Sequence, residues 1–344
     1  MLSGLNGNAA GVLLTGSAPA ASAPDWPGQA AALAQLLRAL SAQGYHFTVT
    51  TPVTHQRVLA RQPGRLAHGL RDIFGWNRPF APGAVTAELL ALMQAAGIVQ
   101  DDGALLRSKL RVASLGDDLL LHSGYPTEQD DAVFLGPDTY RFVRFLGQGM
   151  QTPFGWGRPL RLLDVGCGSG AGGLALARLL SGAGELTLCM NDINPLALRL
   201  TAVNAAVAGI PLEIAQGDAL SAVSGNFDLI ISNPPYLDDA AGRAYRHGGA
   251  HLGRALSVRI AAQALGRLAP GGQLLLYTGV AMLASGDPFL ADMQPLLEAA
   301  DCDWSYSEID PDVFGEELAQ AVYADVERIA AVGLVARKRV QAGR

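Results

Sequence analysis

Apolar positions along the chain fall into two regimes. From 26 to about 124 they recur mostly at helical spacing; from about 158 onward short apolar runs alternate with helical stretches. The segment 27–43 carries apolar residues three and four apart, with Pro27 near its start and Gly44 just past its end, and predicts a helix. Two further helices are predicted over 54–74 and 83–96. Asp102-Gly103 and Gly116-Asp117 then mark turns around short runs at 110–113 and 119–121, which predict a β-ribbon. Helices followed by a ribbon suggest a winged-helix-like domain over 26–124. Its wing would serve either nucleic acid or a docking contact.

The second regime is regular. Strands are predicted over 160–165, 186–190, 212–215, 227–232 and 273–277, with helices over 174–180, 196–208 and 252–268 between them. Two closing strands are expected at 304–309 and 330–336. Such β-α alternation predicts an α/β fold: a Rossmann-like, doubly wound, mostly parallel seven-stranded sheet with helices on both faces. The expected division is a flexible tail over 1–25, a substrate-recruiting domain over 26–124, a linker over 125–157 and a sheet domain over 158–344.

Length and composition fit this division. The 344 residues match two domains at roughly 150 residues each, and 49% apolar with 16% charged residues is a globular composition. No apolar run approaches the ~18–20 residues of a membrane span, so no membrane partner is expected. The first 25 residues hold no Lys or Arg, so they lack the basic start of a secretory signal. Cys167, Cys189 and Cys302 are odd in number and lack CxxC spacing, which argues against a disulfide framework or zinc site and for a reducing, cytoplasmic setting. Net charge is −6, yet between Asp25 and Asp72 there is no acid, while Arg38, Arg57, Arg61, Arg65 and Arg71 fall there. That stretch reads either as a solvated helix face or as a contact for a polyanion.

The chemistry gathers at predicted strand ends. Asp164 leads into Gly166, Cys167, Gly168 and Gly170 between strand and helix, where a ligand can approach the backbone. Cys167 has no neighbouring base and reads as a small filler. Asp192, followed by Ile193, ends the second strand, where a carboxylate accepts ribose hydroxyls. Asp218 and Ala219 follow the third strand, where a carboxylate or backbone group can read an adenine amine. Asn233, Pro234, Pro235 and Tyr236 follow the fourth. Two prolines stiffen that loop, so that the Asn233 side-chain oxygen and the Pro234 carbonyl can accept both hydrogens of a flat –NH2 group. Tyr236 offers a ring for stacking. Holding the nitrogen so that its electron pair faces an electrophile is catalysis by positioning. His247, in the segment Tyr245–Gly249, reads as a proton shuttle or as an ordinary loop histidine. Trp76 and Trp156 read as plugs at the domain junction.

Residues 160–280 resemble class I S-adenosylmethionine-dependent methyltransferases of the branch that methylates exocyclic or amide nitrogens. The resemblance implies that the glycine turn holds the methionine part of the cofactor, that Asp192 binds ribose, that Asp218 lies by adenine and that Asn233–Tyr236 clamp the target. Upstream, Phe134-Leu135-Gly136-Pro137-Asp138-Thr139 is similar to the Ile-Pro-Arg-Pro-Glu-Thr segment of release-factor glutamine methyltransferases, with Gly136 in place of Arg; Thr139 thereby joins the expected cofactor residues. The whole chain also resembles two-domain bacterial methyltransferases. The resulting expectation is an N-methyltransferase using S-adenosylmethionine, with an RNA base favoured over a protein glutamine as substrate. A non-catalytic RNA- or protein-binding module and a nicotinamide dehydrogenase are the competing readings.

Overall fold

A computed structural model describes residues 13–14, 26–150, 159–182, 184–239, 242–243 and 245–340. The N-terminal part opens with α1 (Trp26–Ala42), which buries Leu33, Leu36, Leu37 and Leu40. The next helix, α2 (Pro52–Ala60), starts where the Thr51 hydroxyl accepts the Thr54 N–H and Pro52 takes the first helical position. It stops well short of the expected 74. Pro63-Gly64 breaks the pattern, and only a π-helical turn, Arg71–Gly75, remains of the rest. Helix α3 (Ala87–Ala95) is capped by Thr86 and starts later than expected, because Pro82–Ala84 forms a separate 3₁₀ turn.

Two hairpins follow: β2 (Val99–Asp102) with β3 (Leu105–Ser108), and β4 (Leu110–Leu115) with β5 (Asp118–Ser123). The second is not a free wing. Nearly every residue of β4 and β5 is buried. The Leu121 N–H donates to Asn204 Oδ1 at 2.9 Å, and Arg178 pairs with Asp118. The ribbon packs within the chain, against the helices Ala171–Leu179 and Pro195–Ala208. Trp76 packs edge-on to Phe47 at 5.1 Å and beside His55, inside the N-terminal part. Trp156 lies outside the described residues.

The expected linker contains a helix, α4 (Pro137–Gly149). Phe142, Phe145 and Leu146 are buried in the same apolar cluster as Leu229, Ile231 and Leu275 of the main sheet. The segment 125–150 is therefore part of the sheet domain's wall, since those side chains would otherwise face water.

The remaining elements are β6 (Leu160–Val165), α5 (Ala171–Leu179), β7 (Leu186–Asp192), α6 (Pro195–Ala208), β8 (Glu213–Gln216), β9 (Phe227–Ser232), α7 (Ala255–Leu265), β10 (Leu268–Leu283), α8 (Pro288–Ala299), β11 (Cys302–Asp310) and β12 (Val326–Lys338). They form one sheet in the order β8-β7-β6-β9-β10-β12-β11, with the first five parallel and β12 antiparallel to both neighbours. A two-residue strand at Leu13–Leu14, β1, adds in parallel to β8 as an eighth; the rest of the expected tail lies outside the described residues. Odd and even positions of each strand feed opposite faces. Leu162, Leu229 and Ile231 join a core continuous with α4, α5, α6 and the N-terminal part, while Leu163, Val165 and Ile230 join the α7–α8 side. Chain order reverses between β6 and β9, so the crevice at their carboxyl ends is the switch point of this sheet.

The sequence reading missed α8. Its interior Pro295 reads as a helix breaker, but Phe289, Met293 and Leu297, four apart and fully buried, hold the helix on the sheet. The three cysteines are free and buried. Among the described residues no helix is long and apolar enough to cross a membrane.

Candidate active site

A cleft of about 230 Å³ opens over the switch point. Strand register explains what meets there. Val165 pairs with Asn191 on one side and Ser232 on the other, so the residues that follow these three strands emerge side by side, one strand spacing of about 4.8 Å apart. The Ser232 hydroxyl donates to the Val165 carbonyl at 2.8 Å, and the Asn191 amide donates to the Ala215 and Gly217 carbonyls. Three loops are thus pinned at their roots.

The first loop is the glycine turn. Gly166 and Gly168 have φ of +70° and +55°, a region that L side chains rarely adopt, and a Cβ at either would meet no protein atom within 4 Å. The turn therefore leaves open space on its cleft side. Asp164 lies beneath it, 2% exposed, accepting the Gly173 N–H at 2.8 Å. Burial, with Asp192 adding to it, pushes its carboxyl up to about 7. Cys167 fills space: its Sγ sits 3.8 Å from Thr201 Oγ1, and burial raises the thiol far above its usual range. Gly170 takes the left-handed conformation that starts α5.

Asp192 accepts the Gly168 N–H and the Asn194 N–H, both at 2.9 Å. It joins the second loop to the first, and burial raises its pKa against these bonds. Beside it Ile193 is 58% exposed, an apolar side chain on the cleft wall. Asp218 also lines the cleft, but its carboxylate is engaged by Arg259 through two bonds of 2.7 and 2.8 Å and held below its usual pKa. Of the two groups expected at that wall, a carboxylate or neighbouring backbone, the carboxylate is the one already engaged by Arg259. Thr139 lines the cleft as well, its hydroxyl accepting the Gly136 N–H at the start of α4.

In the third loop Asn233 is half-buried on the cleft wall, and among the described residues its side chain has no hydrogen-bond partner. Pro234 is buried and Pro235 half-buried. Tyr236 departs from the stacking role expected of it. Only 8% of it is exposed. Its ring lies against Gly279, where a Cβ would stand 2.2 Å from the ring and could not fit. Its hydroxyl donates to Asp138, which also receives Tyr277 Oη at 3.2 Å and Arg141 Nη1 at 2.9 Å. The ring more open to the cleft is that of Phe314, edge-on to Tyr236 at 5.9 Å and held at φ +55°. A non-glycine residue in that region is strained and marks a position that the surroundings dictate.

Several cleft residues were not identified from sequence. Asp138 sat in a recognised segment, but nothing there joined it to Tyr236. Phe314 and Pro52 gave no signal, because each arrives from a distant part of the chain. The loop Tyr245–Gly249 does border the cleft: Tyr245 stacks on Phe134 at 6.0 Å and Arg246 pairs with Glu317. His247 does not line the cleft; its Nδ1 accepts the Asp239 N–H at 3.2 Å.

Residues 144–282 match the methyltransferase small domain family. The chain is 39% identical over 126 residues to a release factor glutamine methyltransferase of Deinococcus radiodurans, covering 34% of this chain and 44% of that one. It is 36% identical over 110 residues to a ribosomal RNA small subunit methyltransferase C of Serratia proteamaculans, covering 30% and 31%. A solved T. thermophilus 16S rRNA N2 G1207 methyltransferase in complex with AdoMet and guanosine aligns with TM-score 0.42 at 19% identity, over 72% of this chain and 60% of that chain. The chain therefore spans less than half the length of the curated relatives named here. The matched segment runs from α4 to β10 and contains the glycine turn, Asp192 and Asn233–Tyr236.

Proposed function

We propose that the protein transfers a methyl group from S-adenosylmethionine to a planar amino nitrogen of a macromolecule, with an exocyclic amine of an RNA base as substrate. The observation that carries this reading is that one cleft joins an unpartnered Asn233 amide to a glycine cradle cross-linked by Asp192. The residues fit the cofactor: Gly166 and Gly168 leave open the space that side chains would fill, and Asp192 and Ile193 present a carboxylate and an apolar surface beside it. S-adenosylmethionine supplies an electrophilic methyl carbon on a sulfonium.

The chain's own part is positioning. The Asn233 oxygen and the Pro234 carbonyl accept the two hydrogens of a flat amine, turning its electron pair away from its own π system. Pro234 and Pro235 keep the loop from relaxing, and the Tyr236–Asp138 bond ties the loop to α4. Phe314 and the Phe134–Tyr245 pair offer apolar and aromatic surface to a ring. No strong base is required, because the nitrogen becomes acidic only as it is alkylated. A protein glutamine amide presents the same –NH2 group, and the resemblance at 134–139 together with the Deinococcus relative supports that second reading.

The test uses purified protein, labelled cofactor and a cell lysate, followed by separate RNase and protease digestion. Asn233→Ala is expected to lose about 10²-fold or more in turnover while keeping its cofactor affinity; Asp192→Ala is expected to lose cofactor affinity itself. Undiminished turnover in Asn233→Ala would overturn the clamp. Label removed by protease and not by RNase would move the substrate to protein.

A further inference from the structure

On the sheet domain several exposed arginines are matched by carboxylates, as in Arg178 with Asp118 and Arg259 with Asp218. The N-terminal part contains a strip of the opposite kind. Arg57 and Arg61 are exposed one helical turn apart at the end of α2, and among the described residues neither has an ion pair or side-chain hydrogen bond. Arg71 is exposed too, its guanidinium 5.7 Å over the Phe47 ring and without a carboxylate partner among the described residues. No acid occurs between Asp25 and Asp72 to neutralise them.

The strip begins at the active site. Pro52, the first residue of α2, lines the catalytic cleft, and the Val49 N–H donates to Tyr140 Oη on α4 at 3.1 Å, which fixes this entry to the sheet domain. At 1.5 Å per residue, Arg57 and Arg61 stand about 8 and about 14 Å along the helix from that mouth.

We propose that the exposed end of α2, carrying Arg57 and Arg61, is a phosphate-binding track that holds the RNA strand beside the target base. The proposal rests on the methyl-transfer reading and adds to it where the substrate's backbone lies. Guanidinium groups suit phosphate, which they grip with two parallel hydrogen bonds. The aromatic pair Phe134 and Tyr245 at the same mouth suits a flat heterocycle better than an amide side chain. The net charge of −6 disfavours a polyanion elsewhere on the surface, so the track orients it as well as binds it.

The experiment measures binding of a labelled mixed-sequence single-stranded RNA to the full chain by fluorescence anisotropy across a salt series. It compares wild type, Arg57→Glu/Arg61→Glu, and Arg337→Glu/Arg339→Glu as a control with the same change in net charge around the end of β12. The track variant is expected to bind about tenfold or more weakly, and its slope of log affinity against log salt is expected to be shallower by about 1.5. The control keeps the wild-type slope, and calorimetry finds the same S-adenosylmethionine affinity in all three. Equal weakening in both variants, or unchanged binding in the track variant, overturns the track. So does polyglutamate binding that the track variant alone loses while RNA binding stays intact, which would make the strip a site for an acidic protein. Methyl transfer onto lysate components is scored separately, so a failed track with surviving transfer leaves the catalytic reading standing.

Discussion

Asp138 gives the clearest case at the scale of single residues. One carboxylate in the first turn of α4 receives Tyr236, Tyr277 and Arg141, and Arg141 reaches on to Asp310 at 2.9 Å. Burial raises the Asp138 pKa, against the bonds from Tyr236 and Arg141. Two distant chain segments, the loop after β9 and β10, therefore meet α4 at Asp138, and Arg141 ties in a third at Asp310. Asp138→Asn keeps the shape but weakens the charge-assisted bonds. It is expected to lower turnover about tenfold with cofactor affinity unchanged, and Tyr236→Phe is expected to do the same. Because both remove one contact, the double variant should fall no further than the worse single one; additive losses in steady-state rates would show that the two act independently. The glycine turn, Asp192 and Asn233 were picked out in the sequence because each stands at the end of a predicted strand, a local signal. Asp138 and Phe314 were not, because their roles exist only across the fold.

The glycine turn shows the same logic at the scale of elements. It is short enough to be written entirely in local sequence, and its left-handed φ values explain why glycine stands there. Gly166→Ala costs about 1–2 kcal/mol in backbone strain and places a methyl in the cradle. The expected outcome is a folded protein, with melting lowered by a few degrees, that binds S-adenosylmethionine about tenfold or more weakly by calorimetry. Wild-type affinity would remove the cradle assignment. Other elements were less legible. The expected 54–74 helix failed because the local breaker Pro63-Gly64 outweighs the apolar spacing around it. Helix α8 was missed for the opposite reason: its local breaker, Pro295, is outweighed by burial of Phe289, Met293 and Leu297. The apolar face of α4 gained its meaning only from the sheet that covers it.

For the whole molecule the decisive fact is that the N-terminal part and the sheet domain share one core. His55 belongs to that core, 1% exposed, with Nε2 3.1 Å from the Trp76 carbonyl. Burial first, and Arg111 next, push its pKa down to about 4, and His122 is lowered in the same way. A histidine that stays neutral when folded but takes a proton at its usual ~6.5 when unfolded contributes stability that is complete above that value and is lost as pH falls toward 4. From about pH 7 to about pH 5 the His55 contribution should shrink by about 2 kcal/mol. Urea midpoints at the two pH values measure it, and His55→Gln should reduce the drop by about that amount, leaving the part due to His122; an undiminished drop in that variant would place the acid sensitivity elsewhere. The chain's own order of apolar runs determined the alternating α/β architecture, the glycine turn and the acceptor loop, because helix and strand periods and turn chemistry act over a few neighbouring residues. Only the tertiary structure decided that the ribbon docks internally, that α4 brings Asp138 to Tyr236, and that Pro52 and Phe314 border the cleft. Those outcomes depend on which apolar faces find each other across long stretches of chain, a competition that no local pattern encodes.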